Sequence, residues 1–187
     1  MKGFGENKKS LNKIGKKPNV ENFQQLLINQ AIQFHSKGNI LEATKYYKKI
    51  INQGCKDYKV FANYGVILKN VGKLEEAEKS TRKAIELNPN YVLAHSNLGN
   101  LLRDLGKLKE AEKSTRKAIE LDPDYAMAYC NLGAILKDLG KLKEAEKSTR
   151  KAIELSPNIA EFQSNLGTIL KNLGKLKEAE KSTRKAI

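Results

Sequence analysis

One stretch of sixteen residues recurs along this chain and limits what it can fold into more than any other feature. Residues 106–121 read GKLKEAEKSTRKAIEL, and 140–155 are identical to them. Residues 174–187 repeat the first fourteen letters, and 72–87 differ only at Glu75. The spacing is 34 residues each time, and Pro89, Pro123 and Pro157 keep the same period, each closing a stretch that a helix could not continue through proline. A fixed period of this length marks a stacked array, in which one unit cannot bury its apolar face alone and neighbours complete its core.

Numbering the unit 92–125 as positions 1 to 34 exposes two amphipathic stretches. Leu98, Leu101, Leu102 and Leu105 follow helical spacing in the first, and Leu108, Ala111, Thr115, Ala118 and Ile119 in the second. Gly106 between them suits a helix C-terminus that needs positive φ. Gly99, Ala111 and Ala118 put no bulk between the two backbones, so the helices are expected at the near end of the usual spacing of about 8 to 10 Å. The expected unit is helix, glycine turn, helix, and the expected class is all-α.

Leu98, Gly99, Ala111, Ala118 and Pro123, repeated as Leu132, Gly133, Ala145, Ala152 and Pro157, fall at the signature positions 7, 8, 20, 27 and 32 of a known family. The chain resembles the tetratricopeptide repeat (TPR) over residues 24–187. The resemblance implies a right-handed α-solenoid of antiparallel helix pairs, with units at 24–57, 58–91, 92–125 and 126–159 and an incomplete one at 160–187. Two positions depart from the family pattern. Position 24, normally aromatic, is Thr81, Thr115, Thr149 and Thr183, with Tyr47 alone keeping the ring, and position 4, normally Trp, is Phe61, His95, Tyr129 and Gln163. Smaller fillers predict units of modest individual stability that depend on stacking. The first unit has Gln30-Ala31 in place of Leu-Gly and Cys55 in place of Pro. The array stops at Ile187 in mid-helix, which is expected of a piece of a longer protein and leaves an apolar stacking face for end-to-end self-association.

The net charge of the chain is +14, from 35 Lys and Arg against 21 Asp and Glu. Residues 1–23 hold six Lys against two Glu in a Lys-, Gly- and Asn-rich stretch without periodicity, expected to be a disordered tail. A nucleic-acid reading would rest on Lys8, Lys9, Lys13, Lys16 and Lys17, but no aromatic or arginine platform accompanies them. The remaining excess is spread over the units. Within each second helix Glu112 and Arg116, and their copies, stand acid before base four apart, a spacing that stabilises an exposed helix by roughly 0.3 kcal/mol and is expected on a solvated face.

The first helices of such a solenoid line its concave side. Position 6 is always asparagine: Asn29, Asn63, Asn97, Asn131 and Asn165. Position 12 is His35, Lys69, Arg103, Lys137 and Lys171, while positions 2, 5 and 9 vary. An amide donates and accepts at once, so evenly spaced asparagines can pair with the backbone of an extended peptide whatever its sequence. AHSNLG at 94–99 and AYCNLG at 128–133 are similar to the superhelical repeats of O-linked N-acetylglucosamine transferases, which implies an asparagine ladder holding peptides. The alternative is that Asn only satisfies neighbouring structure or was copied with the unit. The candidate groove comprises Asn63, Asn97, Asn131, Asn165, Lys69, Arg103, Lys137 and Lys171, and its cations would favour an acidic peptide, with Asp104 and Asp138 beside them weakening the field. Related repeats clamp terminal carboxylates with Lys at position 5 and Asn at 9, but position 5 here is Ile28, Ala62, Ser96, Cys130 and Ser164, so that use is not expected.

No catalytic constellation, phosphate-binding loop, cofactor site or metal cluster is expected. Cys55 and Cys130 have no companion at zinc-ligand spacing, and Ser114-Thr115 has no partnered base. No apolar run approaches the roughly 20 residues that span a bilayer, and a cytoplasmic location is the default. The expected function is a protein-interaction scaffold that binds an extended peptide. A substrate-recruiting module of a larger transferase-type enzyme is the alternative, since bacterial arrays of this kind often precede transferase domains, and nucleic-acid binding through the tail is the weaker third reading.

Overall fold

The computed structural model describes residues 20–186, so the expectations placed on the first nineteen residues, including the five tail lysines, lie outside the described part. Ten α-helices follow one another in five antiparallel pairs: α1 (Val20–Ser36) with α2 (Ile40–Asn52), α3 (Tyr58–Asn70) with α4 (Leu74–Leu87), α5 (Val92–Asp104) with α6 (Leu108–Leu121), α7 (Ala126–Asp138) with α8 (Leu142–Leu155), and α9 (Ala160–Asn172) with α10 (Leu176–Arg184). The array is an all-α solenoid of helix pairs. Helix α1 begins at Val20, ahead of the unit boundary at 24.

Each pair turns on a glycine. Gly106 takes φ +72°, and the Lys107 N–H reaches back to the Leu102 carbonyl at 2.8 Å, which caps the end of α5. The two helices of a pair then meet over a second glycine. A Cβ on Gly99 would lie 1.9 Å from Thr115 Oγ1 and 3.2 Å from the Ala111 carbonyl. Gly65, Gly133 and Gly167 face Thr81, Thr149 and Thr183 in the same way. The threonine at position 24 is therefore a close fit to the glycine at position 8.

Stacking completes the core. Leu98, Leu102 and Ala111 of one unit cluster with Ile135 of the next, and Leu132, Leu136 and Ala145 cluster with Ile169. All of these are buried, at about 1.5 to 3 kcal/mol for each fully buried aliphatic side chain. Leu176 is 66% exposed, whereas Leu74, Leu108 and Leu142 at the same position are half-buried.

First helices of consecutive units touch, α3 with α5, α5 with α7 and α7 with α9, while second helices have no comparable contact among the described residues. Helices that crowd on one side and spread on the other force the array to bend, which puts the first helices inside and the second helices outside. The candidate groove lies on this inner side.

Candidate peptide-binding groove

Asn63, Asn97, Asn131 and Asn165 are all half-buried on the first helices. Their amides are not equivalent. Asn131 Nδ2 donates to Ser96 Oγ at 3.1 Å and Asn165 Nδ2 donates to Cys130 Sγ at 3.0 Å. Ser96 and Cys130 both occupy position 5 of the preceding unit and are buried. Position 6 thus ties each of these units to its neighbour and still leaves the amide one N–H and a carbonyl. Before Asn97, position 5 is Ala62, which cannot accept, and among the described residues the Asn97 amide makes no hydrogen bond. A hollow of about 180 Å³ lined by Gly65, Lys69, Asn70, Asn97 and Asn100 lies beside it. Asn63 stands next to the buried Tyr47 hydroxyl, which makes no well-formed hydrogen bond among the described residues.

The position 12 cations also reach across units. Lys69 Nζ lies 3.0 Å from Asp104, and Arg103 Nε donates to Asp138 at 2.5 Å. The following unit has Asn172 at position 13, and Lys137 instead pairs with its own neighbour Asp138 at 3.3 Å. Burial opposes ionisation of Asp138, but the Arg103 guanidinium with Lys137 beside it outweighs that and holds the carboxyl below the ordinary carboxylate range. Lys171 is exposed and has no acid within ion-pair distance among the described residues.

A second polar row, on the outer side, escaped the reading of those charges as a merely solvated face. The expected pair of Arg116 with Glu112 is present at 2.8 Å, but Glu112 also accepts from Lys141 of the next unit at 2.9 Å. Glu78 takes Arg82 and Lys107 at 2.8 Å, and Glu146 takes Arg150 and Lys175 at 2.8 Å. Arg82 and Arg150 reach onward to Glu110 at 2.9 Å and Glu178 at 2.8 Å. The signal was available: the acid at position 21 and the base at position 16 of the next unit recur together, and only the stacking geometry brings them into contact.

Several polar groups near the helix contacts are structural. Ser80 and Ser114 donate to the carbonyls of Phe61 at 2.8 Å and His95 at 2.9 Å, clamping second helix to first. His95 Nε2 lies 2.8 Å from the Pro89 carbonyl, so that nitrogen carries the proton. Cys130 is fully buried, and burial pushes its thiol up to about 11 despite the Asn165 amide. Among the described residues no group of His, Cys, Asp and Glu could hold a metal ion, and no helix is long and apolar enough to cross a membrane.

These pairs and their period place the chain with known repeat proteins. A TPR repeat model matches residues 99–140, and tetratricopeptide repeat models match 58–91, 81–113, 126–159 and 149–181, running together without a break from 58 to 181. The chain belongs to the tetratricopeptide repeat family, a class of protein-interaction scaffold. Residues 41 to the end of MamA from Desulfovibrio magneticus RS-1 are similar in structure, with a TM-score of 0.76, 22% identity, and coverage of 91% of this chain and 95% of that one. The thermophilic TPR protein TTC0263 of Thermus thermophilus gives 0.75 at 20% identity over 87% and 89% of the two chains. PilF of Pseudomonas aeruginosa gives 0.77 at 17% identity over 89% and 76%. Likeness at such identities is likeness of fold. No curated protein sequence matches the chain.

Proposed function

We propose that this chain receives an extended segment of a partner protein along its concave face, with the position 6 asparagines capturing the segment's backbone. The observation that carries this reading is the Asn97 amide, half-buried, without a hydrogen bond among the described residues, and open to the hollow between α3 and α5. An amide so placed offers a donor and an acceptor to a passing peptide unit and is indifferent to the side chain that unit bears. Asn131 and Asn165 each keep one N–H and a carbonyl for the same purpose, and Asn63 extends the row. Lys69 and Arg103 serve mainly to align neighbouring units through Asp104 and Asp138, and Lys137 is held by Asp138 beside it, so a preference for acidic residues concentrates at Lys171. That preference weakens with salt.

Replacing Asn97→Ala together with Asn131→Ala tests the reading against an array of extended peptides. The expected result is a loss of affinity of about tenfold or more across unrelated peptide sequences, the loss of one or two hydrogen bonds. Unchanged affinity in a variant that keeps its helical circular dichroism contradicts it.

A further inference from the structure

The outward spread of the second helices opens a feature that the concave groove does not use. Between α4 and α6, over α5, lies a cleft of about 970 Å³, and one repeat later, between α6 and α8 over α7, lies another of about 920 Å³. Leu98, Leu102 and Ile85 form the apolar floor of the first, and Leu132, Leu136 and Ile119 that of the second. Their downstream walls, α6 and α8, have the same sequence. Most charges on these walls are matched: Arg82 with Glu110, Arg116 with Glu112, Lys117 with Glu120 at 2.7 Å, and Lys151 with Glu154 at 2.7 Å. Lys109 and Lys113 in the first cleft, and Lys143 and Lys147 in the second, are exposed and have no acidic partner among the described residues. Each cleft therefore combines an apolar floor with two unpaired cations four residues apart on one wall, and its lining has five cations against four carboxylates. The floors differ at one place, where His95 stands in the first and Tyr129 in the second, at the position that carries a large ring in the family.

We propose that these two clefts form a second docking surface, on the outer face, for an acidic amphipathic segment of a partner protein. Apolar side chains of the segment would sit over the leucine floor and its carboxylates would meet Lys109, Lys113, Lys143 and Lys147. Surplus positive charge on identical walls selects an acidic ligand, and the leucine floor selects protein over a purely polar polyanion. His95 and Tyr129 distinguish the two subsites.

The test uses the full chain labelled with ¹⁵N and two designed peptides, one with leucines on one face and glutamates flanking them, the other with the same glutamates and serine for leucine. The Leu/Glu peptide is expected to shift resonances of α5, α6, α7 and α8 that border the clefts. Its affinity should fall about tenfold or more in the quadruple variant Lys109→Glu, Lys143→Glu, Lys113→Glu, Lys147→Glu and stay unchanged in Asn97→Ala with Asn131→Ala. All four lysines are exposed, so the charge-reversed chain should keep its circular dichroism; should it not, the quadruple variant to serine gives the same reading with smaller loss. Equal binding of the serine peptide, tighter cleft-dependent binding of a single-stranded oligonucleotide or of anionic lipid vesicles, or shifts confined to the concave residues would each overturn the proposal.

Discussion

The methyl group that Gly99 lacks would occupy the same space as the Thr115 hydroxyl, so each of the four units from 58 onward is closed by a pair of residues that must be small together. Gly99→Ala should destabilise the chain by about 1 to 3 kcal/mol, as overpacking does, measured as a drop in the urea midpoint, and adding Thr115→Ala should recover part of that loss. The remaining 3.2 Å approach to the Ala111 carbonyl makes full recovery a contrary result. Cys130 makes a second residue-scale prediction. With its thiol raised to about 11 by burial, hardly any thiolate exists at pH 8, and a thiol reagent should modify Cys130 only on unfolding. Modification at the rate of an unfolded control in native conditions would contradict this. The glycine, the alanines and the prolines could be placed from the sequence because they hold fixed positions in the period. The bond from Asn165 to Cys130 could not, since a thiol at a position that varies freely carries no sign of what the next helix will present to it.

At the scale of the elements, the units are joined by polar contacts on both sides of the apolar core. On the outer row, hydrogen bonds from Lys107, Lys141 and Lys175 lead the effects that hold Glu78, Glu112 and Glu146 below the ordinary carboxylate range, against the cost of their burial and with help from the arginines. Groups with depressed folded values stabilise the chain above the unfolded value of about 4.3 and lose that contribution as pH falls through the folded one. Glu112→Gln should therefore cost about 0.5 to 1 kcal/mol at neutral pH, as partly exposed pairs do, and should lose less stability than the parent chain on titration below pH 4.5. Parallel acid profiles for the two chains would contradict the assignment. The helix boundaries and the antiparallel pairing were legible from the two apolar stripes and the glycine between them. The links between units were only half legible: the amphipathic pattern fixes which face of each helix is buried, but not the angle between units, and that angle decides whether Glu112 meets Lys141 and whether Lys69 meets Asp104.

Across the whole molecule, the helix contacts among the described residues run within units and between neighbouring ones, so the array behaves as a one-dimensional stack. Removing residues 92–125 should leave a folded, shorter solenoid, with Lys141 meeting Glu78 in place of Lys107, the same helical signal per residue and a smaller urea dependence of unfolding. Removing half a unit should abolish the cooperative transition; a well-folded product would contradict the stack. The bend of the array sorts the first helices to the inside, and with them the asparagine row on which the proposed function rests. The most direct measurement is of the side-chain amide resonances of Asn63, Asn97, Asn131 and Asn165 during titration with a peptide selected by binding. Asn97 is expected to shift most, Asn131 and Asn165 to shift while keeping their bonds to Ser96 and Cys130, and a peptide with the same backbone but altered side chains to move the same amides. Saturable binding that leaves all four amide resonances in place would contradict the proposed function.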